Sequence, residues 1–189
     1  MEIFRTFDEQ YQGIYIAKFV NCPFYQTPNE YETELDKIQN ELQDPLFVRN
    51  FIKSTNSGWK QGAFKNHNLT YLATDVLQES ADLFDKLDEL TEESQNGDCF
   101  DLLFDEFKEL SKSERYDDPG RRKMYTYTHG SLIRLYGVLV GNNAIILTGA
   151  GIKLVDKMNH SKALKMELKK MTYLKAWLKQ EKITDATEL

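Results

Sequence analysis

Residues 131–153, SLIRLYGVLVGNNAIILTGAGIK, constrain this chain most. Two apolar runs meet at Gly141-Asn142-Asn143, the pattern of a buried β-hairpin, and each run carries a charge. Arg134 lies inside the first run and Lys153 ends the second. A guanidinium among apolar neighbours is costly unless something compensates it. Either Arg134 and Lys153 converge on an anion, or each finds a carboxylate elsewhere in the chain.

A further strand-like segment, RKMYTYT at 122–128, precedes the hairpin and joins it through His129-Gly130. The expected unit is therefore a three-stranded antiparallel meander over 122–128, 131–140 and 144–153. Two-residue turns would set Arg134 opposite both Tyr125 and Gly151, and Leu132 opposite both Tyr127 and Lys153. The pleat then places Tyr125, Tyr127, Arg134, Tyr136 and Lys153 on one face, with Gly149 and Gly151 between them. Ile133, Leu135, Leu139, Ile146, Ala150 and Ile152 take the other. In this register Arg134 and Lys153 are diagonal neighbours about 7–8 Å apart. Two cations at that spacing suit a phosphate, Arg134 as a two-pronged donor and Lys153 as a point charge, with tyrosines able to stack on bases. An ion pair between Arg134 and the acidic helices, with Lys153 leaving the sheet into water, is the competing reading.

Those helices lie upstream. GIYIAKFV at 13–20 reads as a strand. Thr27-Pro28-Asn29-Glu30 has the form of a capping box for a helix over 28–43, and Asp44-Pro45 starts a second short helix through Ile52. Leu69, Leu72, Val76, Leu83, Leu87 and Leu90 repeat at helical spacing and predict a long amphipathic helix over 69–93. Asp98 is expected to cap a further helix carrying Phe100, Leu103, Phe104, Phe107 and Leu110. A last helix, about 161–182, turns Leu164, Leu168, Met171, Leu174 and Leu178 inward.

Charge divides the chain at Gly120: residues 1–120 hold 11 Lys/Arg and 25 Asp/Glu, whereas 121–189 hold 13 and 5. An acidic front and a basic back are compatible with a polyanion-facing segment. The expected architecture is α+β, with an acidic, mainly helical part at 1–120 packed on the antiparallel meander and basic helix of 121–189 as one compact domain. No apolar run is long enough to cross a membrane, and MEIFRTFDEQYQ has no signal-peptide pattern, so a cytoplasmic protein without membrane contact is expected. Cys22 and Cys99 lack metal-ligand spacing and are expected to be buried; neither a metal nor a cofactor is expected.

The stretch IRLYGVLVGNNAIILTGAGIKLVDK, followed by a polar link and a Lys-rich helix, resembles the RelE/HigB-type toxins of bacterial toxin–antitoxin modules, over about residues 100–180. Arg134 falls on that family's strand arginine, Gly149–Gly151 on its small-residue stretch, Lys153 on its first lysine and Lys157 on a later one. The resemblance implies a RelE-like α+β fold whose concave sheet face binds mRNA on the ribosome. It also implies a metal-independent endoribonuclease that turns the ribose 2′-OH on the adjacent phosphate. Under it Arg134 and Lys153 stabilise the phosphorane, and Tyr125, Tyr127 or His129 transfers protons. Tyr136 and Lys157 would hold the RNA, and Lys162, Lys165 and Lys169, which fall on one arc of the last helix, are either a solvated face or an RNA-binding surface that tracks its phosphates. An antitoxin or other protein, for instance a small helix-turn-helix protein, would be the partner, and the acidic helices at 75–110 are expected to cover the basic face as an internal restraint. This chain departs from the family in its greater length, its acidic front, Leu154 at the second lysine and a tail, ITDATEL, without a catalytic tyrosine or histidine. Those departures favour the alternative of a non-catalytic interaction module in a toxin–antitoxin or phage-defence operon.

Overall fold

The computed structural model describes residues 1–5, 13–20, 22, 31–55, 59–60, 64–94, 105–114, 118–126, 130–141, 144–155 and 157–189. Its strands are β1 (Glu2–Arg5), β2 (Ile14–Lys18), β3 (Lys108–Glu109), β4 (Gly120–Tyr125), β5 (Ile133–Val140) and β6 (Ala144–Ile152). They form one six-stranded sheet in the order β1-β2-β6-β5-β4-β3. The β4–β5–β6 meander is antiparallel as expected, but the sheet as a whole is mixed. β2 runs parallel to β6, Ile14 opposite Ile145 and Ile16 opposite Leu147, which is possible because the helical front supplies the long crossover that parallel neighbours need. The front of the chain thus adds strands to the sheet as well as helices over it.

Among the described residues four α-helices accompany the sheet: α1 (Glu34–Gln43), α2 (Pro45–Ser54), α3 (Leu69–Ser94) and α4 (Lys162–Glu181). α1 starts later than the expected 28–43. Residues 31–33 are a bend, and the capping box is Thr33 with Asp36: the Asp36 N–H donates to Thr33 Oγ1 at 3.2 Å and the Thr33 N–H to Asp36 Oδ2 at 2.9 Å. The Thr27–Glu30 box lies outside the described residues. Asp44 caps α2 through the Leu46 N–H at 2.8 Å, with Pro45 at the first helical position. The helix expected through Leu110 is helical only at Asp105–Glu106 in its described part. Lys108 and Glu109 instead pair with Lys123 and Arg122, and the Leu110 N–H reaches Arg121 O at 3.0 Å. The exposed edge of β4 offered these backbone groups partners that helical spacing alone does not foresee.

The sheet is covered on both faces. Ile133, Leu135, Ile145 and Leu147 pack with Val48, Ile52, Leu72 and Leu83 of the front helices. On the opposite face Tyr136, Val138 and Ile146 pack with Leu164, Met171, Leu174 and Leu178 of α4. The last four are 0% exposed, and at about 1.5–3 kcal/mol each their burial makes α4 a fixed layer, not a removable cover. α3 therefore lies across the sheet from α4, and the acidic helix does not lie over the face that carries Tyr136. Cys22 is buried; Cys99 falls outside the described residues.

Register in the meander follows expectation where it matters most. Tyr125 pairs with Arg134, and Arg134 with Gly151. Nearer the turn the pairing shifts, Gly137 facing Leu147 and Val140 facing Ala144, with an irregularity between Tyr136 and Gly137 that leaves Thr148 out of the ladder. The Val140–Ala144 pairing leaves three residues between the strands, one more than expected, and the bulge at Thr148 absorbs the difference. One consequence is a correction: Ile146 shares a face with Tyr136, not with Ile133.

Candidate functional site

Tyr125 ends β4 and Arg134 is the second residue of β5, so their direct pairing brings the two side chains together at the rim of the sheet. The Arg134 guanidinium carbon lies 4.2 Å from the centre of the Tyr125 ring, a cation–π contact. Arg134 Nη1 donates to Ser131 O at 2.5 Å and to Ile133 O at 2.9 Å. A guanidinium has five N–H donors, more than these contacts use. The group is half-buried. Burial is the main influence lowering its pKa, opposed by Tyr125, Tyr136 and Glu79. Among the described residues it has no ion pair.

A carboxylate holds this arrangement from behind. Glu79 of α3 is 2% exposed and accepts the Leu132 N–H at 2.6 Å, the Ile133 N–H at 3.0 Å and the Ser131 hydroxyl. It thereby fixes the backbone of 131–133, whose carbonyls in turn tether Arg134. Lys86, two turns further along the same face of α3, donates to Tyr125 O at 3.4 Å and pairs with Glu106. The acidic helix contributes to the site as its scaffold.

The other expected site residues are distributed differently. Lys153 is half-buried one residue past β6, its N–H on Leu132 O at 2.7 Å; its backbone is two residues from Gly151, the partner of Arg134. Tyr136 is 1% exposed beneath α4, its phenol pushed above the ordinary range chiefly by burial, so its ring is not offered to a base. Tyr127 and His129 lie outside the described residues. Lys157, Lys162, Lys165 and Lys169 are exposed.

Gly149 and Gly151 make room for α4. A Cβ on Gly149, where φ is +154°, would overlap Glu167 Oε2 and lie 2.5 Å from Lys170 Nζ; one on Gly151 would lie 2.6 Å from Leu164 Cδ2. Against Gly149 sits a buried ion triad. Lys170 Nζ is 2.8 Å from Glu34 Oε2 and 2.8 Å from Glu167 Oε1, joining α1 on one face of the sheet to α4 on the other. Glu34 is 0% exposed, Lys170 1% and Glu167 7%. Two carboxylates share one ammonium, Glu167 Oε2 has no hydrogen-bond partner among the described residues, and burial pushes the Glu167 carboxyl up to about 7.

Glu79, Glu34, Glu167 and Lys170 were not singled out by sequence reasoning. A signal existed: Glu79 falls between Val76 and Leu83 on the apolar stripe of α3, and Glu167 between Leu164 and Met171 on that of α4.

No protein-family model, no curated protein and no solved structure matches the chain. Among the described residues no group of three or more His, Cys, Asp or Glu side chains is placed to hold a metal ion, and no helix is long and apolar enough to cross a membrane.

Proposed function

We propose that the protein binds RNA, with Arg134 and Tyr125 gripping a phosphate and an adjoining base at the rim of the sheet and the exposed lysines of α4 following the backbone. The observation that carries this reading is a half-buried guanidinium tethered by two carbonyls and an aromatic ring, in no ion pair among the described residues, with the Glu79 carboxylate acting on it only from beyond ion-pair contact. An arginine placed only for stability is ordinarily paired once it leaves water; this one is pre-oriented with donors to spare. Segregation of the acidic α3 and the basic α4 to opposite faces supports the reading, because it leaves the lysine-rich surface unopposed. RNA, among polyanions, is favoured by the resemblance to RelE/HigB-type toxins.

Binding is better supported than cleavage. Of the groups expected to transfer protons, only Tyr125 is described, and its ring is engaged with Arg134. The test is titration of a fluorescent single-stranded RNA with the wild type and with Arg134→Ala, the RNA being run on a denaturing gel afterwards. Saturable binding that weakens about tenfold or more in the variant supports the proposal, and shortened RNA would extend it to a ribonuclease. A folded wild type that leaves the RNA unbound would overturn it and turn the search to a protein partner.

A further inference from the structure

A cleft of about 600 Å³ opens between the C-terminal end of α2 and the start of α4, lined by Phe51, Thr55, His160, Lys162, Ala163 and Met166, with Ser54, Val155 and Ser161 completing it. It takes no part in the Arg134 site. Its size is that of pockets that enclose small organic ligands, and its chemistry is divided. Phe51, Val155, Ala163 and Met166 form an apolar wall, and the Phe51 ring is kept in place by stacking on Phe47, centroids 6.3 Å apart at 26°. The remaining groups are hydroxyls and two side chains able to present N–H donors.

The polar groups have unused capacity of a particular kind. The Ser54 hydroxyl donates to Phe51 O at 2.7 Å and the Thr55 hydroxyl to Phe51 O at 3.2 Å and Ile52 O at 3.1 Å, so both oxygens are left as acceptors. Ser161 Oγ instead accepts the Leu164 N–H at 3.4 Å, so its O–H is left to donate. Lys162 and His160 are exposed, and among the described residues neither side chain has an ion pair or hydrogen bond. Among the described residues no carboxylate lines the cleft, in a chain whose net charge is −6.

An apolar wall with an aromatic ring, both donor and acceptor hydroxyls, and a cation at the mouth match one ligand chemistry closely. We propose that this cleft binds a nucleoside monophosphate unit, its base against Phe51 and Met166 and its phosphate at Lys162 and His160. An inorganic anion would leave the apolar wall unused, and a neutral hydrophobe would leave Lys162 unused. The unit has two sources, a free nucleotide or one residue of a bound RNA strand; the second deepens the RNA-binding reading and rests on it, whereas the first does not.

The test is NMR titration of the full chain, labelled at methionine and alanine methyls, with adenosine 5′-monophosphate, adenosine and inorganic phosphate. The monophosphate is expected to shift the Met166 and Ala163 methyls saturably. Adenosine and phosphate alone should bind more weakly, and Lys162→Glu, an exposed and fold-neutral change, should weaken the monophosphate by about tenfold or more without affecting adenosine. Arg134→Ala should leave this titration unchanged, so failure of the cleft and failure of the Arg134 site are separable. A single-stranded RNA that shifts the same methyls only while Arg134 is intact would identify the strand as the source; shifts by the monophosphate alone would identify the free nucleotide. Absence of saturable shifts at Met166 and Ala163 with the monophosphate, or equal affinity in Lys162→Glu, would overturn the proposal.

Discussion

Arg134 is opposite Tyr125 in the β4–β5 ladder, and its guanidinium lies over the tyrosine ring at 4.2 Å. The pair is a consequence of strand register, so its geometry is as fixed as the sheet itself. Tyr125→Phe keeps the ring and is expected to leave RNA affinity within about twofold, whereas Tyr125→Leu removes the π face and should weaken it several-fold, in line with about 0.5–1 kcal/mol for an exposed cation–π contact. Binding titrations of the two variants check this; equal losses would show that the ring is not what positions Arg134.

Glu79 holds three donors of the 131–133 segment. Glu79→Ala orphans the Leu132 and Ile133 N–H groups in a buried place, the Ser131 hydroxyl keeping Ile133 O at 3.0 Å, and the expected destabilisation is about 2 kcal/mol. Glu79→Gln keeps an acceptor and should cost less. Urea denaturation followed by circular dichroism measures both, and similar small losses for the two would mean that solvent replaces the carboxylate.

Glu167 gives the fold a pH dependence of definite sign. Burial raises its carboxyl to about 7 in the folded chain, with Lys170 the largest opposing influence and Glu34 and Lys37 also facing it. An unfolded glutamate titrates near its ordinary value of 4.5, so between these values the folded state holds a proton that the unfolded state has released. Stability should fall as pH rises through that window, by up to about 1.4 kcal/mol per pH unit, and level off above it. Urea midpoints between about pH 5 and pH 8 follow this. Glu167→Gln should flatten the profile; an unchanged slope would place the titrating group elsewhere.

Gly149 and Gly151 differ in what a methyl would meet. At Gly149 it meets the ion triad from a backbone with φ +154°, while at Gly151 it meets a single Leu164 methyl. Gly149→Ala is expected to cost about 1–3 kcal/mol and Gly151→Ala clearly less, since a leucine methyl can shift. Thermal unfolding of the two variants decides, and the reverse order would contradict the packing described.

Much of this architecture was legible in the sequence. The meander, α2 and α3 follow from hydrophobic period and turn chemistry, and the Tyr125–Arg134 and Arg134–Gly151 pairings follow from counting outward from the turns. What could not be read depends on partners distant in the chain. Parallel docking of β2 on β6 and the capture of Lys108–Glu109 by β4 leave no local periodicity. Tyr136 was placed on the correct face, yet that face is closed by α4, because Leu164, Met171, Leu174 and Leu178 need the same surface. The bulge at Thr148 moved Ile146 across the sheet for a reason equally invisible from spacing: the Val140–Ala144 pairing had to be reconciled with the Tyr136–Gly149 register further along. Gly149 and Gly151 were visible as small residues, but their role as space for the Glu167–Lys170 pair becomes apparent only with α4 in place.

The RNA-binding proposal stands or falls on Arg134 gripping a phosphate. The most direct measurement is the dependence of RNA affinity on salt concentration for the wild type and for folded Arg134→Ala. The variant is expected to bind more weakly at every salt concentration, with a slope of log affinity against log salt that is shallower by about 0.7, the loss of one phosphate contact to a single strand. Identical slopes and affinities in the two proteins would contradict it.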